Sequence, residues 1–126
     1  MKYKAVPFLL AALILGGCTS TLPPDDPRQA ELIASECGLY FAAESQLIAA
    51  GRTEGRNMSE GCPESARAAV VDISAIEPPH QFTSSYAETL YRRMIARGMP
   101  KDIALQVSKS AAFKNVVDLR DTIYAS

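Results

Sequence analysis

The longest helical pattern in the chain covers residues 26–51, DPRQAELIASECGLYFAAESQLIAAG. Asp26 suits a helix N-cap, and Pro27 suits the first helical position because its missing amide proton would have no partner there. Gly51 can end the helix in the left-handed conformation. We therefore predict a helix over residues 27–50, weakened by about 1 kcal/mol at Gly38 relative to alanine. The residues predicted on its inner face by their helical spacing are Ala30, Ile33, Cys37, Tyr40, Phe41 and Ile48.

The segment that follows this helix is harder to read. Residues 51–61 contain three glycines and few apolar residues, which predicts a mobile loop. Residues 62–76 open with Cys-Pro and favour a helix, but residues 70–73, VVDI, also fit a short strand, so both alternatives stay open. Two prolines at positions 78 and 79 end the element in either case. The helical alternative places one stripe on Ala66, Ala69, Val70, Ile73 and Ile76.

The last third of the chain is predicted to form three helices. Ser85 and Glu88 have the spacing of a capping box for a helix that ends at Gly98. Pro100 opens a short helix, and Ser110 caps the last one. Together these helices predict an all-α bundle of four to five helices in residues 27–126. Its inner faces are predicted to carry Tyr86, Leu90, Met94, Ile95, Ile103, Val107, Phe113, Val116, Val117, Ile123 and Tyr124.

The start of the chain has the pattern of an export signal. Two lysines precede an apolar run over residues 5–15, and two small residues follow it. The sequence Leu15-Gly16-Gly17-Cys18 closely resembles the lipobox of bacterial lipoproteins, in which a diacylglycerol is attached to the cysteine thiol and the signal peptide is removed before it. A membrane-spanning helix is less favoured, because residues 5–17 are only 13 residues and contain Pro7, whereas about 20 apolar residues are needed to cross a bilayer. An ordinary secreted protein would need an Ala-x-Ala-like cleavage site, which is not visible.

This resemblance implies an address in the bacterial envelope. Residues 1–17 would be a signal peptide, and Cys18 would be the first residue of the mature chain, carrying acyl chains such as palmitate. Two or more acyl chains hold a protein stably on a membrane. Thr19 and Ser20 lack the aspartate that retains such lipoproteins in the inner membrane, which favours the outer membrane facing the periplasm. The tether over residues 18–26 contains paired prolines, and the eight residues after Cys18 span at most about 25 Å.

Cys37 and Cys62 are predicted to form one disulfide bond. Export would place them in an oxidising compartment, and only one pairing is possible between them. Closing a loop of this length stabilises the fold by about 3 kcal/mol. A zinc site would need four ligands at short spacings, and the chain offers a single histidine, so no metal is expected. A redox pair would favour a Cys-x-x-Cys motif, which is absent.

The mature chain, residues 18–126, has 11 basic and 14 acidic residues, a net charge of about −3 that gives no indication of nucleic-acid binding. Residues 18–80 carry a net charge of −6 and residues 81–126 a net charge of +3. The two halves are expected to attract each other within one fold; alternatively, the basic half contacts an anionic lipid or protein surface. The residues that would make such a contact are Arg92, Arg93, Arg97 and Lys101.

No set of residues predicts catalysis. His80 lies in a Pro-Pro-His-Gln sequence and is expected in a solvated turn, and Glu44 is expected to flank the apolar stripe and reach water. No Gly-x-Ser-x-Gly motif is present. We expect a lipid-anchored, non-enzymatic accessory or structural factor that contacts another envelope protein, with no cofactor besides the lipid. The alternative is an exported module that binds a small ligand. A large apolar cavity would favour the ligand module, whereas a solid core with an exposed apolar patch would favour a protein partner.

Overall fold

The computed structural model describes residues 26–55 and 57–125. The predicted all-α fold is confirmed for these residues, in which no strand occurs. The predicted signal peptide, the predicted lipobox and most of the predicted tether fall outside the described residues. The helices are α1 (Pro27–Ala49), α2 (Ser85–Ala96), α3 (Lys101–Ser108) and α4 (Ala111–Ala125), with short 3-10 helices at Glu64–Ala68 and His80–Phe82.

Helix α1 begins and ends where the sequence predicts. The Oδ1 atom of Asp26 accepts a hydrogen bond from the Arg28 amide at 2.8 Å, and Gly51 takes the left-handed conformation with a φ of 73°. The predicted inner face is wrong at both ends of the helix, where Ile33 and Ile48 are 49% and 67% exposed. The buried residues of α1 all lie between positions 36 and 47, because only this middle part is covered by the rest of the domain.

The loop after α1 is packed against the bundle. Met58 is fully buried, and Arg97 of α2 donates hydrogen bonds to the carbonyl oxygens of Met58 and Glu60, both at 2.9 Å. Gly55 has a φ of 70°, and a Cβ atom at this position would lie 3.1 Å from the carbonyl oxygen of Gly98. The segment is a loop, as predicted, but its backbone and one apolar side chain are held by the helices.

Residues 62–76 form neither the predicted helix nor the predicted strand. A single 3-10 turn at Glu64–Ala68 is followed by irregular chain. That chain passes three helices in turn: Val71 packs against Gly38 of α1, the Ile73 carbonyl accepts a hydrogen bond from Gln106 of α3 at 3.3 Å, and the Ile76 amide donates to the carbonyl of Lys109 before α4. Extended chain rises about twice as far per residue as a helix, and this lets the segment cross the bundle.

The stripe predicted for this segment is split as a result. Ala66 and Ile73 are buried at 4% and 5% exposure, but Val70 is 100% exposed and Ile76 is 70% exposed. Ala69 is exposed as well. Irregular chain places neighbouring side chains without the regular spacing of a helix, so the apolar residues divide between the core and the surface.

The three C-terminal helices follow their capping signals closely. Ser84, and not Ser85 as predicted, caps α2, because its Oγ atom accepts a hydrogen bond from the Ala87 amide at 3.0 Å. Ser110 caps α4 as predicted, since its Oγ accepts from the Phe113 amide at 3.2 Å. Ile95, predicted on the inner face of α2, is 38% exposed.

The core forms around the middle of α1. This helix contacts α3, α4 and the 3-10 turn at Glu64–Ala68. The fully buried interior includes side chains from every α-helix and from the loop. The largest of them are Leu39, Tyr40, Leu47, Met58, Leu90, Met94, Val107 and Phe113.

Candidate functional site

The predicted disulfide bond is present and fixes one wall of the candidate site. Cys37 of α1 and Cys62 are bonded, with their Cα atoms 5.7 Å apart. Cys37 is 4% exposed and belongs to the core. The bond therefore holds the start of the irregular segment against the middle of α1, and the following residues run beside the helix.

An open apolar groove of about 630 Å³ lies between this segment, α1 and α4. Leu39 and Val116 are buried within it, and the lining also contains four exposed polar residues, Glu31, Ser65, Asp72 and Asn115. Most of the remaining lining consists of small side chains, which bring the backbone close to the groove surface. These small residues are Ala34, Gly38, Ala66, Ala69, Ala111 and Ala112.

Gly38 explains how the wall approaches the helix so closely. A Cβ atom at this position would lie 3.0 Å from the Cγ2 atom of Val71, closer than ordinary van der Waals contact. The glycine that weakens the helix in the sequence thus makes room for the crossing segment. The neighbouring Val70 lines the groove with a completely exposed side chain. The groove can bind an apolar surface.

A buried polar cluster lies on the other side of α1. The Tyr40 hydroxyl donates to Glu36 Oε2 at 2.5 Å, and Nη1 of Arg93 donates to both Glu36 carboxylate oxygens at 2.8 and 3.0 Å. Burial and the negative charge of Glu36 raise the pKa of the Tyr40 hydroxyl. Burial alone would lower the pKa of Arg93, but Glu36 outweighs it and raises that pKa. Glu36 was not predicted as a functional residue, although its i, i+4 spacing to Tyr40 is visible in the sequence.

The four basic residues predicted as an anion contact have different surroundings. Arg92 pairs with Glu88 at 2.8 Å, whereas Arg93 pairs with the buried Glu36. Arg97 donates to the loop carbonyls, and its guanidinium lies 4.6 Å from the centre of the Tyr40 ring. Lys101 is exposed at the start of α3. Local partners thus engage the three arginines, and a shared anion contact by all four residues stays a prediction.

The carboxylate of Glu44 was expected to reach water, but Glu44 is buried. Glu44 is 9% exposed, and its Oε2 atom accepts hydrogen bonds from the amide and the hydroxyl of Ser59 at 3.1 and 2.7 Å. The loop folds back over α1 and covers this side chain. Glu44 therefore ties the loop to the helix.

His80 is also buried, at 7% exposure, instead of lying in a solvated turn. Its ring stacks on Phe113 with a centroid distance of 6.4 Å, and its Nε2 atom lies 3.5 Å from Glu77 Oε1. The prolines before it direct the chain into the 3-10 helix His80–Phe82 beside α2, which turns the imidazole inward. The residue packs the core and does not face the groove.

Within residues 26–55 and 57–125, no group of three or more histidine, cysteine, aspartate or glutamate side chains is placed to hold a metal ion. No helix in the same ranges has both the length and the apolar character needed to span a bilayer. No protein-family model, curated protein or solved structure matches this chain significantly.

Proposed function

We propose that this protein is a lipid-anchored lipoprotein of the outer membrane that faces the periplasm and acts, without catalysis of its own, by binding another envelope protein. The observation that carries the proposal is the open apolar groove with the fully exposed Val70 in its lining. A contiguous exposed apolar surface with a polar border is the usual anatomy of a protein interface.

The packing of the domain favours a protein partner over an enclosed ligand. The large side chains of Tyr40, Leu90, Met94 and Phe113 occupy the interior and are buried there. The groove is open to solvent, and its small lining residues leave room for the side chains of a partner. The four exposed polar residues of its lining supply polar groups next to the apolar side chains.

The size of the groove supports a second candidate function. Its volume of about 630 Å³ falls within the range of small-molecule sites, roughly 300–1,000 Å³. An exported module that binds an apolar small molecule would use the same surface. A metabolite that co-purifies with the protein and is displaced by Val70→Asp would favour this alternative.

The lipobox and the tether support the location. Covalent lipid at Cys18 would keep the protein on the membrane, and the short tether would hold Asp26 within about 25 Å of the surface. A partner at the groove would then be another protein of the same membrane or one that passes close to it.

Site-specific photocrosslinking in living cells tests the proposal. A photoreactive residue is placed at Val70 in the groove or at Ile48, which is 67% exposed elsewhere on the domain. We expect one defined protein to be captured from position 70 and not from position 48. Val70→Asp should abolish co-purification of that protein, and Ile48→Asp should not. Capture of the same proteins from both positions would contradict the proposal.

A further inference from the structure

A second crevice, of about 430 Å³, lies on the opposite face of α1. The groove uses positions 31, 34, 35 and 38 of this helix, whereas the crevice uses positions 29, 32, 33 and 36. These are two i, i+3, i+4 series on opposite sides of one helix. Helices α2 and α4 form the other walls of the crevice, through Tyr86, Arg93, Arg120 and Tyr124.

The crevice lies at the end of the domain that the predicted tether joins. Helices α1 and α2 run parallel, because Glu36 pairs with Arg93 and Tyr40 stacks with Arg97 one turn later. Their first turns therefore lie at the same end of the domain. Gln29 lines the crevice only three residues after Asp26, the last residue of the tether. A membrane to which Cys18 is fixed would therefore lie within about 25 Å of this end of the domain.

The polar groups of the crevice suit an anionic phosphate. The Arg120 guanidinium lies 5.0 Å from the ring centre of Tyr86 and 4.6 Å from that of Tyr124, and its nearest paired carboxylate oxygen, on Asp121, is 3.7 Å away. With Arg93 and the buried Glu36, the crevice carries one net positive charge. Arginine presents several donors in one plane, which match phosphate oxygens.

The same end of the domain has side chains typical of a membrane interface. Phe82, which directly precedes the N-terminal residues of α2, is 80% exposed, and Ile33 is 49% exposed. Tyr124, which is partly exposed, combines an apolar ring with a polar hydroxyl, as do the aromatic residues that collect at the headgroup level of membranes. Apolar side chains together with arginines allow simultaneous contact with acyl chains and headgroups.

We propose that this end of the domain docks on the membrane, with Arg93 and Arg120 receiving the phosphate of an anionic phospholipid headgroup and with Phe82 and Ile33 entering the interface. The inference rests on the proposed lipid anchor at Cys18, which would hold the crevice beside the headgroups. The length of the tether and the place where it ends favour a lipid surface as the occupant.

Tryptophan fluorescence of the full mature lipoprotein on vesicles tests this docking. The chain contains no tryptophan, so Phe82→Trp provides a single reporter at the docking end and Ile48→Trp a matched exposed reporter near the other end of α1. Vesicles contain neutral lipid alone or neutral lipid with phosphatidylglycerol, and brominated acyl chains serve as quenchers. We expect the reporter at position 82 to be quenched and shifted to the blue on anionic vesicles, and the reporter at position 48 to be unaffected.

Two charge variants identify the headgroup contact. Arg120→Gln should lower the ratio of docked to undocked protein by about five-fold, as expected for one arginine near an anionic surface. Arg92→Gln removes the same charge from an exposed position on α2 and should change the ratio by less than about two-fold. Quenching of the position 82 reporter that is equal on neutral and anionic vesicles, or unchanged by Arg120→Gln, would overturn the headgroup site.

Flotation of the same samples separates this inference from the lipid anchor. Protein that floats with the vesicles but keeps the reporter at position 82 accessible to water overturns the docking and leaves the anchor in place. Protein that does not float with the vesicles overturns the anchor. The docking is then tested by adding vesicles to this protein: a blue shift in the fluorescence of the reporter at position 82 supports it, and no shift overturns it. Absence of both signals overturns both proposals.

Discussion

Two carboxylates of α1, those of Glu36 and Glu44, lie in the interior of the domain. A buried carboxylate is costly unless hydrogen bonds replace its lost water. Glu36 receives them from Tyr40 and Arg93, and Glu44 receives them from Ser59. Each carboxylate therefore binds α1 to another part of the chain, and removal of its partner should cost more than removal of an exposed ion pair.

Replacing Arg93 by methionine should destabilise the fold by about 1–2 kcal/mol, because the buried Glu36 side chain would lose the partner that donates two of its hydrogen bonds. The value is below that of a fully buried pair because the Arg93 side chain is 44% exposed. Urea denaturation measures the loss. The double variant Glu36→Gln, Arg93→Met should recover part of it, since no buried charge remains.

Arg92→Gln is the matched control for this comparison. Arg92 is the neighbouring residue and pairs with Glu88, but its side chain is 75% exposed. Its replacement should change the free energy of unfolding by less than about 0.5 kcal/mol. Equal losses in the free energy of unfolding for Arg92→Gln and Arg93→Met would show that the burial of Glu36 does not affect the stability of the fold.

The effect of Gly38→Ala should depend on Val71. Alanine favours a helix by about 1 kcal/mol over glycine, but its Cβ would lie 3.0 Å from Val71 Cγ2, and valine has little freedom to rotate away. We expect Gly38→Ala to destabilise the natural protein and to stabilise a Val71→Ala variant, as measured by thermal unfolding. Stabilisation in both backgrounds would show that the close approach is unimportant.

The sequence was sufficient to predict those helix starts and ends that local signals determine. Asp26 with Pro27 marks the start of α1, Gly51 marks its end, and Ser110 caps α4; each acts through backbone groups within a few residues. The capping serine of α2 was predicted one residue late because Ser84 and Ser85 are chemically equivalent. Only the extended backbone of Ser84 distinguishes the two residues.

Contacts between residues far apart in the sequence form the irregular segment, the groove and the crevice. The spacing of apolar residues along the chain does not reveal such contacts. The apolar residues at positions 66–76 fit a helix locally, but the chain from Cys62 has to cross α1 and α3 before it reaches α4. Glu36 and Arg93 are 57 residues apart, so neither residue indicates its partner. The disulfide was predictable because the predicted export favours oxidation and only two cysteines besides Cys18 were left to pair.

The disulfide bond should supply a large part of the stability of the domain. It closes a loop of 25 residues, for which the loss of unfolded-state entropy corresponds to about 3 kcal/mol. We expect Cys37→Ala, Cys62→Ala to lower the free energy of urea unfolding by this amount. The natural protein in excess reductant should behave like the variant. An unchanged urea midpoint in both samples would contradict this role.

Acid should loosen the contact between the loop and α3. Hydrogen bonds from Arg52 lower the pKa of Asp102 and that of Glu54. A carboxylate whose pKa is lower in the folded state stabilises the fold above its unfolded pKa, and this stabilisation is lost as the pH falls through the folded pKa. The urea midpoint should therefore fall below about pH 4. Arg52→Gln should reduce that fall, whereas Lys101→Gln, which removes the same charge, should leave it intact.

At the scale of the whole molecule, the two faces of α1 have different roles in our proposals. The crevice face is covered by two arginines and two tyrosines of α2 and α4 close to the end of the tether at Asp26, and the groove face carries small side chains. Docking of the crevice on the membrane would fix the rotation of α1 and leave the groove available to a neighbouring protein. A lipid anchor alone would limit the distance of the domain from the membrane surface but would leave the domain free to rotate.

The lipid at Cys18 is the premise of this arrangement, and Cys18→Ala tests it. We expect the natural mature protein to begin at Cys18, to have a mass increased by the attached acyl chains and to sediment with outer membranes. The variant should lose both the added mass and the membrane association, because a single protein domain without acyl chains has no comparable hold on a bilayer. If the anchor selects the partner by location, photocrosslinking from position 70 should also fail in the variant. An unmodified terminus, or a mature product that still begins at Met1, would contradict the lipobox resemblance. Photocrosslinking of the same partner protein by the Cys18→Ala variant would show that the groove recognises this partner independently of the membrane.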